Sequence, residues 1–219
     1  MSGASARTRA ATPDVETSKE RIHAAALRLL ARYGYEGVSL QMIADDVGLH
    51  KSSLFHHYRG KLELTSEVCL AAMERVLEHI EPLAHDDPPH RETFLAVIDA
   101  CLDHFAAEPE AARLLLTLLV APEDSEFNLP VGRDDVEHPV IRLFTILGSW
   151  LERARNKGVT RKLSIRQTIP NLMGIVLMQP AVASGLGDLT GRDAFAPRQR
   201  ALRKAEVHAL LESLFASTS

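Results

Sequence analysis

Hydroxyl, imidazole and ammonium groups are concentrated between residues 51 and 61 of this 219-residue chain. These side chains are Lys51, Ser52, Ser53, His56, His57 and Lys61. Together they offer hydrogen-bond donors and positive charge of the kind that phosphate groups and base edges accept. Neighbouring residues on a helix point about 100° apart, so the two histidines do not form the i, i+4 pair that chelates a metal ion. The pattern favours contact with nucleic acid over a metal site, with ordinary solvated charges as the remaining alternative.

The elements that must position this group are two short helices. Ser39 is a suitable N-cap for a helix over residues 40–47, and a second helix is predicted over about residues 51–58. Between them, Gly48 can adopt the positive φ that a tight turn requires, and the small side chain of Ala44 lets the helices cross closely. Two short helices joined in this way form a helix-turn-helix, whose second helix enters the major groove of DNA by its N-terminal end.

A preceding helix is expected to supply the core under this motif. The capping box TSKE at residues 17–20 predicts its start, and Gly34 predicts its end. Apolar residues repeat on it at helical spacing, namely Ile22, Ala26, Leu29, Leu30 and Tyr33. Of these, Ile22, Ala26 and Leu29 are predicted to pack against apolar residues in and around the two short helices, which are Ile43, Val47, Leu49, Leu54 and Tyr58. Residues 1–16 are small and polar and are predicted to be a disordered arm.

The rest of the chain is predicted to be helical as well. Helices are expected over about residues 61–80, 94–105, 109–120, 139–157, 164–185 and 198–216, with loops at residues 85–90, 122–137 and 185–197. Residues 167–187 carry no charge, but Pro170, Pro180 and three amide side chains interrupt them. A helix buried between helices or subunits is therefore favoured over a membrane span. The predicted fold class is all-α, with about nine helices, in which a three-helix helix-turn-helix DNA-binding domain precedes a larger helical domain.

Charge divides the chain into two parts. Residues 1–61 carry nine Lys and Arg against six Asp and Glu, a net charge of +3, whereas the other 158 residues carry sixteen against twenty-three, a net charge of −7. A basic first quarter on an acidic remainder indicates that two tasks are divided along the chain. Cys69 and Cys101 show no metal or redox spacing, and no signal peptide is visible, so buried thiols in a cytoplasmic protein are expected.

Residues 17 to about 67 resemble the DNA-binding domain of the tetracycline-repressor (TetR) family of transcriptional regulators. The features that carry the resemblance are the capped first helix, Ser39 ahead of IADDVGL, the KSSLFHHY run and KLEL at residues 61–64. The resemblance implies a homodimer with a disordered arm at 1–16, a DNA-binding domain at 17–60 and a ligand-binding and dimerisation domain at 61–219. It further implies a repressor that a small-molecule effector releases from a palindromic operator in double-stranded DNA.

The resemblance also implies roles for single residues. Ser39 and Gln41 would approach phosphate, and Lys61 would contact a phosphate from the start of the fourth helix. The residues aligned with base reading are Lys51, Ser52, Ser53 and Phe55, and those aligned with gripping the backbone are His56 and His57. Two residues depart from the family pattern. His50 stands where a small capping residue is common, and Phe55 replaces a more usual Tyr, which leaves apolar contact in place of a hydroxyl-to-phosphate bond.

A mostly apolar effector pocket and a dimer face are expected in the second domain. The predicted pocket residues are Met73, Phe94, Cys101, His104, Phe105, Arg113, Thr117, Leu118, Phe144, Leu147, Trp150 and Asn171, with Gln179 as a further polar anchor. The predicted dimer residues are Leu210, Leu211, Leu214 and Phe215, together with the uncharged stretch. An ordinary hydrophobic core is the alternative for any of the apolar pocket residues. The pocket composition favours a largely uncharged, hydrophobic ligand.

Two other classes of function are weighed against a DNA-binding regulator. A helical-bundle enzyme would need a constellation such as G-x-S-x-G, a phosphate-binding glycine loop, a zinc histidine pair or a paired Glu-x-x-His, and the sequence contains none of them. A helical ligand-binding or scaffold protein without DNA binding would leave the polar group at residues 51–61 unexplained. The sequence therefore predicts a regulator that is not an enzyme and that uses neither cofactor nor metal.

Overall fold

The computed structural model describes residues 18–120, 138–190 and 193–215, without the side chains of 184–190. Ten α-helices and one turn of 3₁₀-helix occur in these ranges, and no strand does apart from a single bridge between Thr160 and Phe215. The helices are α1 Ser18–Gly37, α2 Leu40–Val47, α3 Lys51–His57, α4 Lys61–Ile80, α5 Pro82–His85, α6 Arg91–Ala107, α7 Pro109–Leu119, α8 Pro139–Asn156, α9 Ile165–Thr190 and α10 Pro197–Leu211. The all-α prediction is confirmed, and the short α5 is the helix that the sequence did not indicate.

The first three helices begin and end where local chemistry requires. In α1, Gly34 leaves the helical conformation at φ 71° and ψ 173°, so the helix is interrupted at the predicted residue before one more turn to Gly37. The Ser39 hydroxyl accepts a hydrogen bond from the Met42 N–H at 3.2 Å and caps α2. Gly48 closes α2 at φ 71°, which favours glycine. The predicted capping box involves Thr17, which lies outside the described residues.

Two hydrophobic cores share the helices α4 and α7. The smaller core joins α1, α2 and α3 through Ile22, Ile43 and Leu54 and also takes in the first half of α4. The larger core fills the bundle from α4 to α10. Helix α7 contributes to both, because Leu114 is buried in the smaller core while the adjacent Leu115 is buried in the larger one. Tyr33, which shares the helical spacing of the apolar residues of α1, is 47% exposed.

Helix α9 runs through the uncharged stretch and beyond it. The predicted loop at 185–197 is wrong in its first part, because the backbone remains helical to Thr190. Gly185 and Gly187 indicated a break, but a glycine inside a helix costs only about 1 kcal/mol relative to alanine. Pro170 and Pro180 are accommodated within the helix. No helix in the described ranges is long and apolar enough to cross a membrane.

The C-terminal end corrects the predicted dimer face. Leu211 and Phe215 are 2% and 5% exposed and are buried in the larger core, so they are not free for a partner subunit. Phe215 packs edge-on against Phe94, and Arg161 donates a hydrogen bond to the Phe215 carbonyl at 3.1 Å. The helical spacing could not separate these residues from Leu210, which is 62% exposed. The predicted arm at 1–16 and the predicted loop at 122–137 lie outside the described residues.

The carboxylate of Asp86 connects the turn between α5 and α6 to helix α8 by hydrogen bonds. The Asp86 carboxylate accepts hydrogen bonds from the His90 N–H, the Trp150 indole N–H and the Thr93 hydroxyl, at 2.8, 2.8 and 3.2 Å. Burial raises the pKa of this carboxyl, but the hydrogen bonds outweigh burial and hold the pKa at about 2. Arg153 donates to the carbonyl of Leu83 at 2.8 Å on the same side. The only tryptophan of the chain is thereby held in one orientation, stacked on Phe94.

Candidate nucleic-acid interface

Helix α3 presents its polar residues outward and its apolar residues inward. Leu54 and Tyr58 are buried in the smaller core, whereas Lys51, Ser52, His56 and His57 are exposed and Ser53 is half-buried. Phe55 is 52% exposed, and the Lys51 ammonium lies 5.8 Å from the centre of its ring. One face of α3 is thus a continuous surface of hydrogen-bond donors, one ammonium group and one aromatic ring.

The start of α3 is open to an external partner. His50 occupies the N-cap position, but its side chain makes no capping hydrogen bond. The first N–H groups of a helix have no partner within the helix and carry partial positive charge. On the neighbouring α2, Gln41 is exposed and donates to the Asp45 carboxylate at 2.6 Å, while the Ser39 hydroxyl is used as the cap.

Lys61 lies at the start of α4, but its ammonium has a partner within the chain. It donates to the Tyr35 carbonyl at 2.9 Å and stands 4.0 Å above the centre of the Tyr35 ring. The side chain therefore joins the end of α1 to the start of α4. Arg59 is two residues earlier and its side chain is exposed. It is a cation at the same end of the domain that the sequence reasoning did not include.

Two arginines of α1, also absent from the sequence reasoning, fix the position of α2. Arg28 forms an ion pair with Asp46 at 2.6 Å, and Arg21 donates to the Val47 carbonyl at 2.7 Å. Both contacts lie at the C-terminal end of α2, immediately before the turn that leads into α3. The sequence does show that both arginines lie outside the apolar face of α1. It does not show which carboxylate or carbonyl group each arginine would contact.

A cavity lies within the larger core, bounded by α4 to α9. Of the predicted pocket residues, it is lined by Met73, Phe94, Cys101, Phe105, Leu118 and Leu147. Its other lining residues are also apolar. Its enclosed space is about 90 Å³, which exceeds the roughly 10–15 Å³ that one water molecule occupies on the same measure. Burial raises the pKa of the Cys101 thiol to about 12, so this group is a neutral, weakly polar part of the wall.

The remaining predicted pocket residues lie elsewhere. Trp150 is fully buried but directed to Asp86, and Phe144 is 39% exposed on α8. Arg113 donates to the Ala181 carbonyl of α9 at 3.2 Å, and the exposed Thr117 donates to the carbonyl of Arg113. These polar groups satisfy backbone carbonyls and are therefore not directed into the cavity.

Three other predicted polar side chains also lie away from the cavity. His104 faces His79, with ring centres 5.1 Å apart. Asn171 lies in a groove between α9 and α10 on the outer surface, and Gln179 lies against α10.

The outer face of α9 and α10 carries exposed apolar side chains. Met178, Val182, Leu202 and Leu210 are between 38% and 62% exposed. Leu210 and Met178 also border the groove that contains Asn171. Elsewhere in the described ranges, no three His, Cys, Asp or Glu side chains are grouped so that they could hold a metal ion.

Residues 22–68 match the model of a family described as bacterial regulatory proteins, tetR family. This part of the chain is therefore similar to the TetR family. The match covers α1, α2, α3 and the start of α4, which are the elements that carry the exposed polar face. The TetR family consists of transcriptional regulators rather than enzymes.

Similar proteins extend this comparison over more of the chain. The HTH-type transcriptional repressor SCO4008 of Streptomyces coelicolor is 33% identical over 105 residues, 48% of this chain and 51% of that protein. The HTH-type transcriptional repressor AcnR of Corynebacterium diphtheriae is 25% identical over 68% of this chain and 87% of its own. The chain spans 39% to 54% of the length of YerO, SCO4008 and LmrA. The ketosteroid transcriptional regulator KstR2 of Mycobacterium tuberculosis has a similar fold, with a TM-score of 0.70 at 12% identity over 93% of this chain and 98% of its own.

Proposed function

We propose that this chain is a DNA-binding transcriptional regulator that represses transcription from a palindromic operator. The observation that carries the proposal is the face of α3, where hydrogen-bond donors, the Lys51 ammonium and the exposed Phe55 lie together above a fully buried Leu54. A helix of this kind reads bases through its N-terminal residues in the major groove. Lys51 and Ser53 are assigned to base edges, and Phe55 to apolar contact such as a thymine methyl group.

Phosphate contacts are assigned to the residues around α3. Gln41 from α2, the histidines at the end of α3, Arg59, and Lys61 at the start of α4 would surround the groove and supply affinity without reading sequence. The net charge of +3 in the first 61 residues supports this assignment, because the acidic remainder of the chain is separate from it. Arg28 and Arg21 hold α2 in position and are not proposed to contact DNA.

The protein is proposed to act as a homodimer with α9 and α10 at its centre. Two copies would then present two α3 helices to successive major grooves, about 34–36 Å apart or somewhat more. The exposed Leu210, Leu202 and Met178 support this placement, because apolar side chains of this size are usually covered. The cavity is proposed to bind a small, mostly apolar effector whose preference for one conformation weakens operator binding.

The test is to sequence DNA fragments that the purified protein selects from a random pool. We expect an approximate palindrome, and we expect Lys51→Ala and Ser53→Ala each to relax preference at one or two symmetric positions. A good base contact provides about 1–3 kcal/mol of discrimination. Lys157→Ala is the control, because Lys157 is exposed at the end of α8, far along the chain from the interface. Selected motifs that are unchanged in both variants would exclude these residues from base reading.

A further inference from the structure

The closed end of the cavity offers no hydrogen-bond partner to a ligand. Leu83 and Phe94 form this end, and each is at most 1% exposed. The nearest polar groups are already engaged, because the Trp150 N–H behind Phe94 is bonded to Asp86. Among the described lining residues, sulfur in Cys101 and in two methionines is the only heteroatom of any side chain. An unpaired polar group of a ligand would therefore be unfavourable there.

The opposite end of the cavity reaches the surface. Leu119, at the end of α7, is 45% exposed and still lines the cavity, and the half-buried Leu118, Val140 and Met173 line the same end. The mouth therefore lies beside the C-terminal end of α7 and the N-terminal end of α8. A ligand that enters here can keep one polar group in water while the rest of it is enclosed.

The shape of the cavity limits the enclosed part of the ligand. Phe94 and Phe105 both line the cavity although they are eleven residues, about 16 Å, apart along α6, so its space of about 90 Å³ is long and narrow rather than round. A flexible hydrocarbon chain can follow such a space, whereas a rigid cage of the same carbon number would force the tightly packed walls apart.

We propose that the effector is a single-chain amphiphile, whose hydrocarbon chain fills the cavity and whose polar head stays at the mouth beside Leu119. The regulatory role of this ligand rests on the proposed function, whereas its binding to the cavity does not. Recognition comes from chain length and flexibility, because the wall provides no polar contact that could identify a functional group deep inside.

The first experiment measures binding of 1-octanol, 1-decanol and 1-adamantanol to the DNA-free protein by the fluorescence of Trp150, below the solubility limit of each alcohol. Each added methylene should lower the Kd about fourfold until the chain reaches the closed end. 1-Adamantanol has the ten carbons of 1-decanol in a rigid cage and should bind at least tenfold more weakly. Equal affinity of these two alcohols, or no dependence on chain length, would overturn the proposal.

The second experiment locates the head. Leu119→Lys should lower the Kd of decanoate several-fold and raise that of protonated decylamine, since the new charge would lie beside the head. Leu62→Lys is the matched control, because Leu62 is equally exposed at 45% but lies at the start of α4 and does not line the cavity. Leu62→Lys should bind all three ligands, decanoate, decylamine and 1-decanol, like the wild type. Equal effects of Leu119→Lys on the two charged ligands would place the head elsewhere.

The two proposals can fail separately. If the protein selects an operator but binds none of these amphiphiles, the amphiphile proposal fails and the regulator remains. If it binds amphiphiles with the expected dependence on chain length but selects no DNA sequence, the proposal of a DNA-binding regulator is wrong and the proposed class of ligand remains supported.

Discussion

Lys61 illustrates how one side chain can combine a structural and a functional role. Its ammonium is bonded to the Tyr35 carbonyl, yet it lies at the helix start to which the family resemblance assigns a phosphate contact. An alanine substitution would remove both interactions at once. Glutamine keeps an N–H donor for the carbonyl and removes only the charge, so the two roles can be separated.

The first prediction concerns this charge. We expect Lys61→Gln to weaken binding to all DNA sequences about equally and to lower the slope of log K against log salt by about 0.9, the value for one phosphate contact. Lys61→Ala should lower the slope equally and also lower the melting temperature. The measurement is operator affinity from 50 to 200 mM salt. A changed sequence preference with the salt slope intact would contradict the phosphate role.

The second prediction concerns Asp86. A carboxyl whose pKa is lowered to about 2 in the folded state, from 3.8, stabilises the fold above pH 4 and loses that contribution as the pH falls from about 4 to 2. At pH 7, Asp86→Asn should lower the free energy of unfolding by about 2 kcal/mol. Urea unfolding followed by Trp150 fluorescence measures this difference, with the exposed neighbour Asp87→Asn as the control. A difference that persists unchanged at pH 2 would exclude the carboxylate as its source.

At the scale of elements, α6 meets α4 through a pair of histidines. The Nε2 atom of His104 is buried and has no hydrogen-bond partner in the described part of the chain. Burial lowers the pKa of His104, and His79 and Arg75 lower it further, against the opposite influence of Glu108 and Glu78. Protonation in the folded state is therefore unfavourable at this contact.

The third prediction follows from the sign of that shift. The unfolded chain binds a proton at this site below about pH 6.5, whereas the folded chain binds it only at lower pH, so stability falls as the pH drops from 6.5. His104→Gln should make the free energy of unfolding less dependent on pH between 7.5 and 5.5. His85→Gln, at a histidine whose side chain is 81% exposed, should not. Identical pH profiles of His104→Gln and the wild type would contradict the assignment.

Elements governed by short-range chemistry were predictable from the sequence. The start of α2 at Ser39 and its end at Gly48 follow from a side-chain cap and from glycine's tolerance of positive φ. The end of α9 was not predictable from its glycines. Glycine destabilises a helix only slightly, and the hydrogen bonds of a long helix can outweigh that cost. The direction of a polar side chain in the bundle, such as Arg113, depends on carbonyls 68 residues away along the chain.

For the molecule as a whole, the exposed and buried residues of α10 decide how a partner subunit could bind. The apolar pattern alone predicted Leu211 as a contact, but tertiary packing places it inside the protomer, and Leu210 beside it remains outside. A charge at residue 211 would disrupt the fold and would reveal nothing about assembly. A charge at residue 210 meets water in the monomer and would be buried only in the dimer.

The fourth prediction uses this difference. Leu210→Glu combined with Met178→Glu should give folded monomers, because burying unpaired carboxylates at an interface is unfavourable. The monomers should bind the operator far more weakly than the wild type, because one subunit covers only one half-site. Sedimentation and circular dichroism measure assembly and folding, and Val120→Glu, at a residue 71% exposed, is the control. A double variant that remains dimeric would exclude this face.

The placement of Leu114 in the smaller core limits how this protein can be recombined. A chimera joined at residue 60 would combine the first three helices with foreign side chains where Leu64, Val68 and Leu114 now complete their packing. The first three helices therefore do not form a unit that can be exchanged alone, although the sequence pattern of the helix-turn-helix ends soon after α3. An exchange of these helices between two proteins of this architecture should include the first half of α4 and a matched residue at position 114. In evolution, the first half of α4 and residue 114 are expected to change together with helices α1 to α3 rather than with the rest of the helical bundle.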